Sequence, residues 1–299
     1  MPGNSSHWSM RCRLAGIMLG AAFAYRAIAA DEQKVALVIG NSAYAAAALI
    51  NPVNDATAIA AKLRSLGFNV TLKTNVIQRD MTRSFREFGQ KLAKGSVGLF
   101  YFAGYGIQAY GKNFLIPVDA EIDTEASAQS EGVDVDHVIQ HMGSARLSMV
   151  ILDASRSSPF EQRFRSGGGN GLAQISAPTG SLLAYAAAPG KVVPDAGRRL
   201  SIYATELLKV LNIPGLAVED VFKQLRINVL QASNNAQVTW DASSLTGKFY
   251  FWPGSNALTV DEQLLQEEQA RIKLQQEIET LRVELLKRGI GPAREESPR

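Results

Sequence analysis

The chain has 299 residues, of which 46% are hydrophobic and 20% are charged, a composition typical of a globular protein with one large domain or two small ones. The formal net charge of +3 comes from three arginines that precede residue 30. The chain has 31 basic and 28 acidic residues, so without those three arginines 28 of each remain. The balanced remainder gives no compositional reason to expect binding to nucleic acid or to an anionic membrane.

The first 29 residues have the layout of a secretory signal peptide. Two arginines precede the apolar run Leu14–Tyr25, and Ala27-Ile28-Ala29 has the small-x-small pattern of a cleavage site. We therefore expect residues 1–29 to be removed and the protein to be secreted or periplasmic, with a retained N-terminal anchor as the alternative. Because Cys12 is the only cysteine, the cleaved chain would have no disulfide, no cysteine-ligated metal and no cysteine nucleophile.

From Lys34 onward, short apolar runs that predict strands alternate with stretches whose apolar residues recur every three or four positions, which predict helices. The predicted strands are Lys34–Gly40, Phe68–Leu72, Val97–Phe102, Lys112–Asp119, Met149–Leu152, Ser181–Ala187 and the aromatic Lys248–Trp252. The predicted helices are Ala56–Leu66, Arg79–Lys94, Val133–Met142, Ile202–Leu211 and Val218–Ala232. This order predicts an α/β domain over residues 34–253, with parallel strands joined by right-handed helical crossovers.

After this domain the composition shifts to Gln, Glu, Leu and Arg, which predicts a C-terminal helix over residues 260–288. Its apolar residues share one register, with Glu267 and Arg271 as interruptions: Val260, Leu264, Leu274, Ile278, Leu281 and Leu285. The pattern is typical of a short, imperfect coiled coil that pairs with a second copy or with a partner protein. A helix that folds back on its own domain is the alternative. Residues 289–299 are expected to be disordered.

Seven short motifs in the domain point to a known family. They are VALVIGNSAY, NPVNDA, FYFAGYG, FLIPVDA, VILDASR, the Gly-Leu-Ala at 171–173, and SSLTGKFYF. Together they resemble the bacterial caspase-like peptidases of the metacaspase and orthocaspase group, over Lys34 to Trp252. The resemblance implies a caspase-like fold, which is a three-layer α/β/α sandwich around a mostly parallel sheet. It also implies a catalytic His and Cys at the ends of two adjacent strands.

In the matching motifs the family's catalytic His falls on Tyr105 and its Cys falls on Ser155. A tyrosine with a pKa of about 10 does not take up a proton near neutral pH, and a serine hydroxyl needs a well-placed base. The substitutions predict a pseudoprotease, without catalysis, that binds basic peptides or regulates a partner. Two alternatives stay open. One is an Arg/Lys-specific peptidase or other hydrolase that uses Ser155, and the other is an interaction module that acts through the C-terminal helix.

The resemblance also implies an acidic pocket for a basic substrate side chain, and its acids match Asp55 and Asp153. Two carboxylates in one pocket suit a guanidinium or an ammonium group. The alternative roles are a helix cap for Asp55 and a polar strand end for Asp153. His137 and His141 lie one turn apart on a predicted helix without a third ligand, so we predict no metal and no cofactor. The glycine-rich stretch Arg163–Ala173 lacks the Gly-Lys-Ser/Thr of a phosphate-binding loop and predicts a mobile loop.

Overall fold

The computed structural model describes residues 32–154, 171–193, 197–253 and 260–287, with side chains of the last helix described over 268–282. The predicted signal peptide, Ser155 and the predicted tail 289–299 lie outside these residues. The chain divides into two units. The first contains the described residues up to Asn212 together with Glu219–Gly247, and the second contains Ile213–Val218 and the described residues from Lys248 onward.

The first unit contains two sheets. Its strands are β1 Lys34–Gly40, β2 Asn69–Thr74, β3 Val97–Ala103, β4 Gly106–Ala109, β5 Lys112–Leu115, β6 Val133–Asp134, β7 Leu147–Asp153, β8 Ser181–Tyr185 and β9 Trp240–Ser243. The larger sheet has the strand order β2-β1-β3-β7-β8-β9, in which β9 alone pairs antiparallel among the described strands. Strands β4, β5 and β6 form a small antiparallel sheet.

Helices cover both faces of the larger sheet. The helices of the first unit's described residues are α1 Pro52–Ser65, α2 Gln78–Lys91, α3 Glu125–Glu131, α4 Val135–His141, α5 Ile202–Val210 and α6 Val218–Ala232, whose first residue belongs to the second unit. The second unit contains α7 Val260–Lys287. The chain steps outward from β1 to β2 and then back past β1 to β3, so right-handed crossovers place α1 and α2 on opposite faces. Helix α5 contacts α1, and α4 contacts α2. The predicted three-layer α/β/α sandwich is therefore confirmed.

Successive side chains of each strand point to opposite faces of the sheet, so the apolar strands contribute to a hydrophobic core on each face. On β1, Val35, Leu37 and Ile39 belong to the cluster that contains Met81 and Phe85 of α2. Strand β3 is buried along its whole length, as expected for a parallel strand with helices on both sides. The deep burial of β1, β3 and β7 fixes the position of their carboxyl ends, where polar side chains follow.

Several elements differ from the sequence-based expectation: β4 and α3 are not among the predicted elements, and the strand predicted over Lys112–Asp119 ends at Leu115. The predicted strand Lys248–Trp252 is wrong, since that segment contributes one isolated antiparallel bridge between Tyr250 and Ala217. The antiparallel strand at this edge of the sheet is instead β9. It is short and partly exposed, and its sequence has no apolar run from which a strand could be predicted. The helix predicted from Val133 begins two residues later, because Val133 and Asp134 pair with β5. Aromatic content favours a strand, but it does not specify a pairing partner.

The second unit combines a backbone pairing with the long helix α7. The N–H of Gly215 donates to the Trp252 carbonyl at 2.8 Å, and the N–H of Val218 donates to the Phe249 carbonyl at 2.9 Å. The described side chains of α7, over residues 268–282, are all exposed. Within the part of the chain that the structure describes, no helix is both long and apolar enough to cross a membrane.

Candidate functional site

The carboxyl ends of β3 and β7 lie side by side. Their last residues, Ala103 and Asp153, are partners in the parallel register. Just beyond them, the N–H of Gly106 donates to the Ala154 carbonyl at 2.9 Å. Tyr105 therefore lies beside the chain that leads directly to residue 155. Ser155 itself lies outside the described residues, so its place opposite Tyr105 stays a prediction.

The two glycines that flank Tyr105 are required by close packing. A methyl group at Gly104 would lie 2.5 Å from the Tyr44 hydroxyl oxygen, and one at Gly106 would lie 2.9 Å from the Ala154 Cβ. The same methyl at Gly106 would lie 3.0 Å from a Leu172 Cδ atom. These approaches press the backbone at Tyr105 against the end of β7 and the loop after β1. The two glycines of the AGYG motif are thus explained by the close approach of this backbone to neighbouring side chains, which leaves no room for a Cβ atom.

Tyr105 is buried, with 3% of its surface exposed. Its ring centroid lies 4.8 Å from that of Tyr44, with 59° between the ring planes. The Tyr105 N–H donates to the Tyr44 hydroxyl at 3.0 Å, and that hydroxyl donates to the Ile116 carbonyl at 3.0 Å. The surrounding apolar cluster contains Tyr44, Leu49, Ile107, Ala109, Phe114, Ile116, Ile122 and Ala128. The ring and the backbone of Tyr105 are therefore both engaged in internal packing.

Backbone N–H groups near this position also have internal acceptors. The Gly104 N–H donates to the Asp153 carbonyl at 3.4 Å, and those of Tyr105 and Gly106 donate to Tyr44 and Ala154 as described above. Acyl transfer requires N–H donors directed at the oxygen that becomes negatively charged. In this arrangement, Gly104, Tyr105 and Gly106 direct their N–H groups to the protein's own oxygens.

The structure brings Asp55 and Asp153 together. Asp55 lies in the first turn of α1, which packs so closely on the end of β1 that a methyl group at Gly40 would lie 2.4 Å from the Pro52 carbonyl oxygen. Both carboxylates are buried, with at most 1% of each residue exposed. Asp55 Oδ1 accepts the Ser201 N–H at 2.9 Å, and Asp153 Oδ2 accepts the Ser201 hydroxyl at 2.8 Å. The two acids therefore meet at a single residue.

Ser201 is a site residue that the sequence reasoning missed. It caps α5, and its Oγ accepts the Ala204 N–H at 2.9 Å while its hydroxyl donates to Asp153. The Tyr101 hydroxyl also donates to Asp153 Oδ2, at 3.4 Å. A serine directly before a predicted helix is a recognisable capping signal, but such a signal does not reveal which carboxylate the hydroxyl will meet.

Tyr203, two residues further along, is fully buried. Burial raises the pKa of its phenol well above the ordinary value, and the charges of Asp153 and Asp241 raise this pKa further. Its hydroxyl has no hydrogen-bond partner among the described residues. The phenol therefore stays neutral at physiological pH and provides no negative charge beside the two acids.

Helix α4 carries two exposed histidines, and the one at its C-terminal end, His141, lies far from Tyr105. His137 and His141 are exposed on α4, and the helix ends near the amino ends of β3 and β7. Met142 packs on Gly98, where a methyl group would lie 3.2 Å from the Met142 Cε. Gly98 precedes the end of β3 by five residues, or roughly 17 Å at about 3.3 Å per residue. Over the described ranges, no group of three His, Cys, Asp or Glu residues is arranged to hold a metal ion.

Comparison with known proteins identifies the domain. The sequence profile of the caspase domain family matches residues 33–250. Over 90 residues, the chain is 38% identical to the mouse mucosa-associated lymphoid tissue lymphoma translocation protein 1 homolog and 37% identical to the human protein of that name. The matched stretch is 30% of this chain and 11% of each relative, so the chain spans only a small part of the length of these curated relatives.

Proposed function

The chain belongs to the caspase domain family, and we propose that it is a catalytically inactive member of the metacaspase and orthocaspase group that binds basic peptides. The observation that carries this proposal is the buried Tyr105 at the position of the family's histidine, packed against Tyr44. In addition, residues 33–250 contain no cysteine, because the chain's single cysteine is Cys12. The matched domain therefore has no cysteine, and it has a tyrosine at the family's histidine position.

Tyr105, at the position of the family's histidine, does not supply a general base for Ser155. A phenol with a reference pKa of about 10 keeps its proton at neutral pH and does not act as a base there. The imidazole of His141 is separated from this end of β3 by most of the strand's length, and that of His137 is exposed on the surface of α4. A serine hydroxyl without an adjacent base is a weak nucleophile. These points support binding without hydrolysis.

The meeting of Asp55 and Asp153 at Ser201 supports a basic ligand. A guanidinium presents several N–H donors in one plane and matches carboxylate oxygens better than a neutral side chain does. In this structure the Ser201 N–H and hydroxyl provide donors to the two acids. A ligand would have to replace these donors, which requires a shift of the first turn of α5. Binding would then select a less populated open form and lower the apparent affinity accordingly.

Isothermal titration calorimetry tests the proposal with three peptides that differ at one position, which holds arginine, lysine or citrulline. Citrulline has nearly the shape of arginine without its charge. We expect the arginine and lysine peptides to bind and the citrulline peptide to bind at least about tenfold more weakly, since a hydrogen bond between charged groups contributes about 1.5–3 kcal/mol.

Protein variants complete this experiment. Asp55→Asn and Asp153→Asn remove a charge while they keep an oxygen that accepts from Ser201, and we expect each to weaken arginine binding. Asp220→Asn, at an exposed acid on α6, is the matched control and should bind as the parent does. Equal binding of arginine and citrulline peptides, or undiminished binding by the Asp55→Asn/Asp153→Asn variant, would contradict the pocket.

We also propose that the protein acts outside the cytoplasm, in the periplasm or the medium. This proposal depends on the sequence of residues 1–29, which lie outside the described structure. N-terminal sequencing of the protein from periplasmic and secreted fractions tests it. A first residue at or near Ala30 is expected, whereas an uncleaved chain in the membrane fraction would contradict it.

A further inference from the structure

Helix α7 carries an exposed apolar stripe. Leu274, Ile278 and Leu281 are 58%, 48% and 53% exposed, and their spacing of four and three residues places them on one face. Leu285 continues the same register one turn further along the helix. Ile272 is also about half exposed, but it lies on the opposite face of the helix.

An exposed apolar stripe stabilises a helix only when another protein surface buries it. A helix in water with exposed side chains all around obtains no tertiary packing, and helix propensity alone gives marginal stability. The ion pair between Arg282 Nη1 and Glu279 Oε2 is 3.9 Å long and highly exposed, so it contributes little. The apolar face formed by Leu274, Ile278 and Leu281 is therefore the feature that can stabilise this helix.

We propose that this face binds the same face of a second copy of the chain, as a short parallel coiled coil. In the heptad register that the stripe defines, Ile278 occupies an a position and Leu274 and Leu281 occupy d positions. A β-branched residue at a with leucine at d favours two parallel strands. The seam begins after Arg271, whose charge interrupts the apolar register at the preceding a position. A seam this short gives a dimer that depends on concentration.

Charge complementarity selects a second copy as the occupant. Glu277 lies at the g position and Arg282 at the following e position, five residues later. In a parallel dimer a g residue contacts the e residue of the next heptad in the partner helix. Glu277 of each helix would therefore meet Arg282 of the other, twice, with opposite charges. An antiparallel arrangement or a helix folded back on its own domain would not place these residues together.

Sedimentation equilibrium of the full chain over a hundredfold range of concentration gives the first test. We expect a reversible transition from the 32.3 kDa monomer, or its processed form, to twice that mass. Ile278→Asp should raise the dissociation constant by about a hundredfold or more, because it removes an apolar side chain from the seam in both copies. Ile272→Asp, the matched change on the opposite face, should leave the dissociation constant within about twofold. A monomer at every concentration, or equal effects of the two variants, would overturn the proposal.

Charge exchange tests the parallel register. Glu277→Arg and Arg282→Glu each place like charges across the seam, so each variant alone should dimerise more weakly. An equimolar mixture of the two should form a heterodimer, and the Glu277→Arg/Arg282→Glu double variant should recover the homodimer. A dimer that is indifferent to these changes would overturn the parallel arrangement. None of these readouts depends on the peptide pocket, so the two proposals fail or succeed separately.

Discussion

Ser201 is predicted to contribute to stability through two separate hydrogen bonds. The change Ser201→Ala removes the acceptor of the Ala204 N–H at the start of α5, a loss that typically costs about 1 kcal/mol. It also removes the hydroxyl that donates to the buried Asp153 carboxylate, and hydrogen bonds to charged groups contribute about 1.5–3 kcal/mol. We expect the free energy of unfolding to fall by about 3 kcal/mol, a large part of the usual 5–15 kcal/mol.

Chemical denaturation at neutral pH measures this loss, and two variants separate its components. Thr124→Ala removes the cap of helix α3, an exposed hydrogen bond in which Thr124 Oγ1 accepts the Ser127 N–H at 3.0 Å, and should cost about 1 kcal/mol. Ser201→Thr keeps a hydroxyl in the capping position and should cost less than Ser201→Ala. The difference between the losses in unfolding free energy caused by Ser201→Ala and by Thr124→Ala then measures the contribution of the hydrogen bond to the buried Asp153 carboxylate.

A double-mutant cycle with Asp153→Asn identifies the partner. If the hydroxyl acts on the Asp153 charge, Ser201→Ala should cost about 1–2 kcal/mol less in the Asp153→Asn background than in the parent. Additive effects of the two changes, together with a Ser201→Ala cost no larger than that of Thr124→Ala, would refute the reasoning. Ser201 would then be an ordinary helix cap.

Two further predictions concern buried tyrosines. Tyr105→Ala should lower the free energy of unfolding by about 3–5 kcal/mol, because it leaves a cavity beside Tyr44. The control Tyr110→Ala, at a position that is 64% exposed, should change this free energy by less than about 0.5 kcal/mol. Chemical denaturation curves of the two variants and the parent measure both effects. Burial raises the pKa of Tyr185 to about 12. The Ile175 N–H, which donates to the Tyr185 hydroxyl oxygen, lowers this pKa by a smaller amount. This folded-state pKa lies above the unfolded value, so the stabilisation is complete below about pH 10 and is lost as the pH rises toward 12. The parent's stability relative to Tyr185→Phe should therefore fall by about 1.4 kcal/mol between about pH 9 and 11, and a constant difference over that interval would contradict the shift.

The fold could be predicted because its determinants are local. Apolar runs such as Val97–Phe102 become strands buried on both faces, and the alternation of strands and helices fixes a parallel sheet with right-handed crossovers. The strand β9 escaped notice because an edge strand with partly exposed residues has no distinctive pattern. The Lys248–Trp252 prediction failed because β-propensity does not provide a pairing partner.

The candidate site could be predicted only in part, because its key contacts join distant residues. Ser201 is separated from Asp55 by 146 residues and from Asp153 by 48, and a serine before a helix indicates only a cap. The resemblance places Tyr105 at the family's histidine position, but the direction of its ring depends on Tyr44 and the small sheet. Side-chain direction at a strand end is a property of the packed structure.

The most direct test of the central claim is a cleavage assay on the purified protein. Peptides with internal arginine or lysine are incubated with the parent and with Ser155→Ala, and the products are identified by mass spectrometry. The account predicts intact peptides with both proteins, under conditions where calorimetry shows that the parent binds them. Cleavage after arginine or lysine by the parent, lost in Ser155→Ala, would contradict the account and identify a serine peptidase on a caspase fold.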